Sequence, residues 1–363
     1  MIDSKDISVI VQGAINKTET KKCLKSIRQF LSEAEIILST WEGSDVSSLK
    51  GLYDILILNK DPGATLLEET KTKKVYNNLN RQLVSTKAGL KKSSRRYTMK
   101  LRSDLILTSD KFLEYFDKFE ARSEDYNLFK HKVLTSTLFT RCYIKPSKLS
   151  KRIFIPFHIS DWWLFGLRED LETYFFATEL VKEPEFTNYF SFEENETKLT
   201  PYSKVKFKFA PEQYFGYSCF ARNFDDIYME DASDYSEELM EKYRKCLLNN
   251  FIILDFKHSG IYLNKYLFSK NEKLIGDQYI DLYNPYRYQK DYKEICDNEF
   301  QITEKPILED KKTYSKMRIY KKLYRLIEHN LPINKKLATL FFELPYSIIM
   351  FILDSLKSNN PNL

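Results

Sequence analysis

The stretch Y-T-M-K-L-R-S-D-L-I-L, Tyr97 to Leu107, decides the fold. It alternates and then runs apolar, which predicts a buried strand. One acid, Asp104, interrupts it where a central strand would end. A carboxylate there is costly unless a cation or hydrogen-bond donors compensate it. Lys100 and Arg102 share its strand face by the period of two, so positive charge is within reach. In open α/β sheets, ligand sites lie at the carboxyl ends of strands. Two readings stay open: an internal salt bridge at a strand end, or a carboxylate holding a divalent metal against a nucleotide diphosphate.

Working outward, Ile7 to Val11 is an apolar run ending in Gln12-Gly13, a first buried strand and a turn. Thr18 to Leu31 reads as an amphipathic helix with Cys23, Leu24, Ile27 and Leu31 on one face. Glu35 to Ser39 and Asp54 to Leu58 are further strands, followed by Thr40-Trp41-Glu42-Gly43 and by the turn Asn59-Lys60-Asp61-Pro62-Gly63. Thr72 to Gly89 is expected as a long helix with a polar face. Strands separated by helices in this order predict a mostly parallel sheet with covering helices. Past Asp110 the pattern loosens. Strands are expected at Leu128 to Val133, Ser136 to Tyr143 and Phe251 to Phe256, and helices at Arg168 to Val181, from Pro211, and at Ser236 to Asn249. Asn271 to Glu309 is Tyr-rich and polar, without a clear period.

The 363 residues, 43% hydrophobic with 26 Phe and 25 Tyr, suffice for a sizeable core, and 9 Gly and 11 Pro argue against low complexity. Five scattered cysteines without C-x-x-C spacing suit reduced thiols in a cytosolic protein. The N-terminus runs straight into a strand, so a secretory leader is not expected. The net charge of +6 hides an asymmetry: residues 311–336 hold nine Lys/Arg against one Glu, which leaves about −2 elsewhere.

Four strand ends present polar groups: Gln12, Thr40 with Glu42, Asp61 and Asp104. In a doubly wound sheet these converge on one edge, where Asp61 can accept the N3–H of a uracil ring while Asp104 binds metal. Turn chemistry accounts for Thr40, Glu42 and Asp61 equally well. Lys73, Lys74, Asn78 and Arg81 begin the helix after the third strand and are candidates for phosphate, against a plain solvated face. Asp161, beside Trp162-Trp163 and three residues after His158, is the candidate general base, its pKa raised by apolar neighbours. The competing reading is a helix-capping Asp with core tryptophans. Glu212, after Pro211, is a second acid at a helix start. His258, after an apolar strand, is placed to reach a diphosphate or complete a metal site.

I-S-V-I-V-Q-G, A-E-I-I-L-S-T-W-E-G, N-K-D-P-G, K-K-V-Y-N-N-L-N-R-Q-L-V-S-T and K-L-R-S-D, with S-D-W-W-L-F-G at 160–166 and P-E-Q-Y at 211–214, resemble the WavE-type lipopolysaccharide synthesis family over about residues 5 to 260. The resemblance implies a bacterial glycosyltransferase of GT-A-like (Rossmann-like) fold: a mixed, mostly parallel central sheet flanked by helices. It implies a nucleotide-sugar donor, most simply a UDP-sugar, and an oligosaccharide or lipid-linked acceptor in lipopolysaccharide or capsular polysaccharide assembly, with inversion favoured. Such enzymes usually carry D-x-D at the end of the fourth strand. Here Arg102 stands where the first acid should, so Mn2+ or Mg2+ at Asp104 competes with direct neutralisation of the diphosphate by bidentate contact from Arg102, with Lys100 a further donor-binding candidate. A sugar-activating nucleotidyltransferase is the alternative of the same fold, and a non-catalytic glycan-binding protein at the membrane is the alternative of another class.

The expected organisation is one catalytic domain over 1–270 (nucleotide half 1–110, acceptor half 111–270), a connecting region 271–310, and a C-terminal helical extension over 311–363. In that extension a basic stretch precedes a short apolar one interrupted by Glu343 and Pro345. It is too short to span a bilayer and fits an anionic membrane surface, giving a cytoplasmic protein peripheral on the inner face of the cell membrane. Packing on the catalytic domain or a homo-oligomer contact are other uses of the segment, and nucleic acid is not expected as a partner.

Overall fold

The computed structural model describes residues 2–69, 74–144, 153–182, 208–232, 234, 236–263 and 281–305. The chain divides into two compact units, residues 1–264 with 281–306, and residues 265–280 with 307–363. The second unit, and with it the segment 311–363 read as membrane-associating, lies outside the described residues. Among the described residues no helix is long and apolar enough to cross a membrane.

The first unit is built on seven strands: β1 (Ile7–Gln12), β2 (Glu35–Trp41), β3 (Ile55–Asn59), β6 (Tyr97–Arg102), β8 (Val133–Ser136), β11 (Trp163–Leu167) and β12 (Phe251–Leu254). Their order is β12-β8-β11-β6-β1-β2-β3. All run parallel except β11, which is antiparallel to both neighbours. All six positions of β1 are buried, as helices on both faces of a parallel sheet require. Helix α1 (Lys17–Phe30) is capped by Asn16, whose Oδ1 accepts from the amides of Thr18 and Glu19, and it buries Cys23, Leu24 and Ile27 as the periodicity predicts. Helix α2 (Leu79–Lys92) packs on β1 and β2. It sits so close that a Cβ on Gly89 would stand 2.3 Å from Ile10 Cγ2. Helices α3 (Arg168–Phe176), α4 (Pro211–Ala221) and α5 (Glu237–Asn250) follow, α4 starting with Pro211 as expected.

The remaining departures have local causes. The helix expected from Thr72 begins only at Leu79. Before it, β4 (Thr65–Glu69) pairs with β5 (Lys74–Asn77) as a hairpin, and Asn77 Oδ1 accepts the Leu79 amide at the changeover. The strand expected over Tyr97 to Leu107 breaks at Arg102. Its continuation, β7 (Leu105–Leu107), leaves the main sheet to pair with β13 (Ile261–Leu263). No strand forms over 128–132, because buried side chains take its amides: Asn250 Oδ1 accepts from Leu128 and Phe129, and Asp170 from Lys130 and His131. Of the strand expected over Ser136 to Tyr143 only its ends are strand: Ser136 closes β8, and Tyr143 opens the two-residue β9 (Tyr143–Ile144), which pairs with β10 (Ile153–Phe154). Helix α3 stops at Phe176 rather than Val181, since Asn80 bonds both the amide and the carbonyl of Val181 at 2.9 Å. After the short α6 (Phe256–Ser259), the region read as aperiodic contains α7 (Pro285–Ile295), with Asn284 as N-cap and Pro285 at its first turn. That Asn-Pro signal is legible in the sequence and buries Tyr288 and Tyr292.

Candidate functional site

The carboxyl ends of the parallel strands, and the chain entering β11, form one edge. Its β1–β3 half is a neutral network. Ser85 Oγ donates to Gln12 Oε1 (2.9 Å), Ser39 Oγ donates to the Ser85 carbonyl (2.8 Å), and Asn59 Nδ2 donates to Ser39 Oγ and the Thr40 carbonyl (2.9 and 2.8 Å). Gln12 is therefore held in place, while Thr40 is buried with its hydroxyl 3.4 Å from Ser44 Oγ. Glu42 is exposed beyond it. Asp61 is clamped by Arg81, Nε and Nη2 donating at 2.8 and 2.7 Å, and this guanidinium holds its carboxyl below the usual range. Arg81 also donates to Asn78 Oδ1 at 3.1 Å. Asn78 and Lys74 are exposed, and Lys73 lies outside the described residues.

The other half, over β6 and β11, is charged. Lys100 has no exposed surface. Its Nζ donates to the main-chain carbonyl of Asp161, and burial, partly opposed by Asp161, lowers its pKa to about 8. Gln82 Nε2 donates to the same carbonyl at 3.2 Å, and the Arg102 amide to that of Trp162 at 3.3 Å. These bonds fix the turn before β11 by its backbone. The residue after Asp161 and Trp162 begins a strand, so Asp161 caps no helix. Asp161 is 4% exposed, and burial first, then the nearby Glu212, raises its pKa. Glu212, half-buried in the first turn of α4, is raised by burial against its own backbone hydrogen bond and the field of Arg141, Arg102 and Lys100.

Helix α4 is aimed at the site by close approach. Gly216 lies where a Cβ would meet the Phe157 carbonyl at 2.3 Å, and Gln213 Nε2 donates to the Pro156 carbonyl at 3.0 Å. His158 is buried with Nδ1 3.0 Å from the Phe139 carbonyl, and burial drops its pKa to about 3, so it is neutral at physiological pH.

Arg102 Nε and Nη2 donate to the two oxygens of Asp104 at 3.1 and 2.8 Å, and its guanidinium lies 4.6 Å from the Trp162 ring centroid. His258 Nδ1 is 2.9 Å from Asp255 Oδ1 and its ring packs on Tyr115, so the structure pairs it there. Among the described residues no group of three or more His, Cys, Asp or Glu side chains could hold a metal ion. With both Asp104 oxygens engaged by Arg102, the described residues offer no ready ligand set for a resident divalent cation.

Sequence reasoning missed Arg141, half-buried on the segment after β8, whose guanidinium lies 5.2 Å from the Phe139 ring centroid. Nothing local marks it, because its approach to Glu212 and His158 is long-range. Trp163, by contrast, is core, edge-on to Phe112 at 5.5 Å. Gln82 had a weak signal in the run of amides on α2.

The sheet order, with one antiparallel strand among six parallel ones, is that of a GT-A-like fold. A family model described as WavE lipopolysaccharide synthesis matches residues 7–327, and the chain belongs to that family. None of the curated proteins matches it. Among solved structures it is similar to 4-diphosphocytidyl-2C-methyl-D-erythritolsynthase from Anaerococcus prevotii DSM 20548, at 15% identity and a TM-score of 0.30 over 50% of this chain and 80% of that one. It is also similar to S. aureus TarS 1-349, at 12% identity and a TM-score of 0.27 over 91% of this chain and 75% of that one. Likeness at these scores is too weak to bear on function.

Proposed function

We propose that the protein is an inverting glycosyltransferase that moves a sugar from a UDP-sugar to a growing, lipid-linked bacterial surface glycan. Membership of a lipopolysaccharide synthesis family supports the process. The observation that carries the chemistry is the buried Asp161 carboxyl, its pKa raised, beside Lys100 and Arg102 at the end of the central strand. Asp161 takes the acceptor hydroxyl proton as that oxygen bonds to the sugar's anomeric carbon. The bond from that carbon to the diphosphate oxygen breaks, and the nucleoside diphosphate leaves with its electron pair. Arg102, supported by Asp104 and stacked on Trp162, neutralises the leaving diphosphate in the place usually given to a metal. Lys100 adds buried positive charge beneath it. Gln12, Thr40, Asn59 and the Arg81–Asp61 pair form the floor under the nucleoside, and Glu212 orients the acceptor.

The test is UDP release from a panel of UDP-sugars with membrane-derived glycan acceptors, with and without a chelator. Transfer should persist in chelator and fall by about 10²-fold or more in Arg102→Gln, the scale of losing one electrostatic stabiliser of the transition state. Transfer that stops in chelator and returns with Mn2+ would overturn the role given to Arg102.

A further inference from the structure

Arg102, Trp162, Phe139 and Arg141 form a row along the site. Arg102 lies 4.6 Å from the Trp162 centroid, Trp162 and Phe139 meet edge-on at 5.2 Å, and Arg141 lies 5.2 Å from the Phe139 centroid. A guanidinium therefore stands at each end of an aromatic pair. The ends differ. Arg102 is bidentate to Asp104, whereas the Arg141 guanidinium makes no hydrogen bond or ion pair among the described residues. A half-buried guanidinium whose donors no group among the described residues takes is matched in geometry to a carboxylate or phosphate. Glu212, which feels the field of Arg141, is itself driven toward the neutral form by burial, so it offsets that charge incompletely.

We propose that this row is a two-anion cradle, in which Arg102 takes the donor diphosphate, the two rings lie under the sugars, and Arg141 takes an oxyanion on the acceptor. The acceptor is then an acidic glycan, bearing a carboxylate or a phosphate. This rests on the glycosyltransferase reading for the assignment of the Arg102 end, while the Arg141 end is tested separately.

The experiment uses calorimetric titration of the full chain, wild type, Arg102→Gln, Arg141→Gln and Arg141→Lys, with UDP, inorganic phosphate, glucuronate and, as a neutral control, glucose. Phosphate or glucuronate is titrated both into free protein and into protein saturated with UDP. UDP affinity should fall at least about tenfold in Arg102→Gln and change by less than about twofold in Arg141→Gln, the loss expected for one charge-assisted contact. UDP-saturated wild type should still bind one of the two anions. That binding should fall at least about tenfold in Arg141→Gln and be partly restored in Arg141→Lys. The anion that is lost tells a phosphate acceptor from a carboxylate one. Equal loss of UDP in both glutamine variants would put both arginines on the donor and overturn the proposal, as would anion binding that survives Arg141→Gln or is matched by glucose. Wild type that ignores UDP but binds the anion through Arg141 overturns the donor reading alone. The lysine variant keeps the charge should Arg141→Gln fail to fold.

Discussion

The two halves of the sheet edge solve the burial of polar groups differently. Over β1–β3, Gln12, Ser39, Ser85 and Asn59 satisfy one another with neutral hydrogen bonds, and the ion pair Arg81–Asp61 stays partly exposed. Over β6 and β11, Lys100, Asp161 and Glu212 are charged groups pressed toward neutrality, next to Arg102 and Arg141. The first arrangement holds shape at little cost. The second costs stability, and groups held in that way have proton affinities displaced toward neutral pH, which is what acid–base chemistry needs.

The largest effect should separate the halves outright. Asp161→Asn should lower turnover by about 10²–10⁴-fold with UDP affinity little changed, the usual scale for removing a general base. A single-turnover assay with saturating donor reads it. Full turnover would reduce the charged half to structure.

On the neutral side, Ser39→Ala removes the acceptor for Asn59 and the donor to the Ser85 carbonyl, and leaves buried polar atoms unmet. It should cost about 1–3 kcal/mol by denaturant unfolding, nearly independent of pH between 5 and 8. A marked pH dependence would show that the network is coupled to the charged half.

Asp161→Asn should also raise the melting temperature at pH 7. The fold holds the Asp161 carboxyl above its unfolded value, so the protonated form is the one the fold prefers. That contribution is complete below the unfolded value of about 3.9 and is lost as pH rises through the folded one. The variant's advantage should therefore shrink as pH falls toward 4. Melting curves across that range test the sign, and a variant less stable at pH 7 would contradict it.

The smallest effect should be Arg81→Gln. Asp61 is held below its ordinary pKa by Arg81, so the pair contributes above about pH 4 and its contribution is lost on acidification. Being partly exposed, the pair should contribute no more than about 1 kcal/mol. A larger loss in unfolding would mean that it braces the hairpin β4–β5.

Much of the fold was legible because its signals are local. Runs such as Ile7 to Val11 and Glu35 to Ser39 show their burial by composition, α1 its inner face by periodicity, and α4 its start by Pro211. Arg102-Ser103-Asp104 was readable as a strand end bearing charge, and Asp161 as an acid among aromatics. What remained hidden depends on partners far along the chain. Nothing local shows that Asn80 binds Val181, or that Asn250 and Asp170 take the amides that a strand at 128–132 would have used.

The sequence by itself thus determined β1, α1, β2, β3 and β6 and the identity of the charged residues near their ends, since spacing and side-chain chemistry act over a few residues. Only the tertiary structure decided that Arg102 fills both oxygens of Asp104, that Lys100 is fully buried, and that Glu212 lies within the field of Arg141. Burial and electric fields are set by everything packed around a group, and no local stretch of chain carries them.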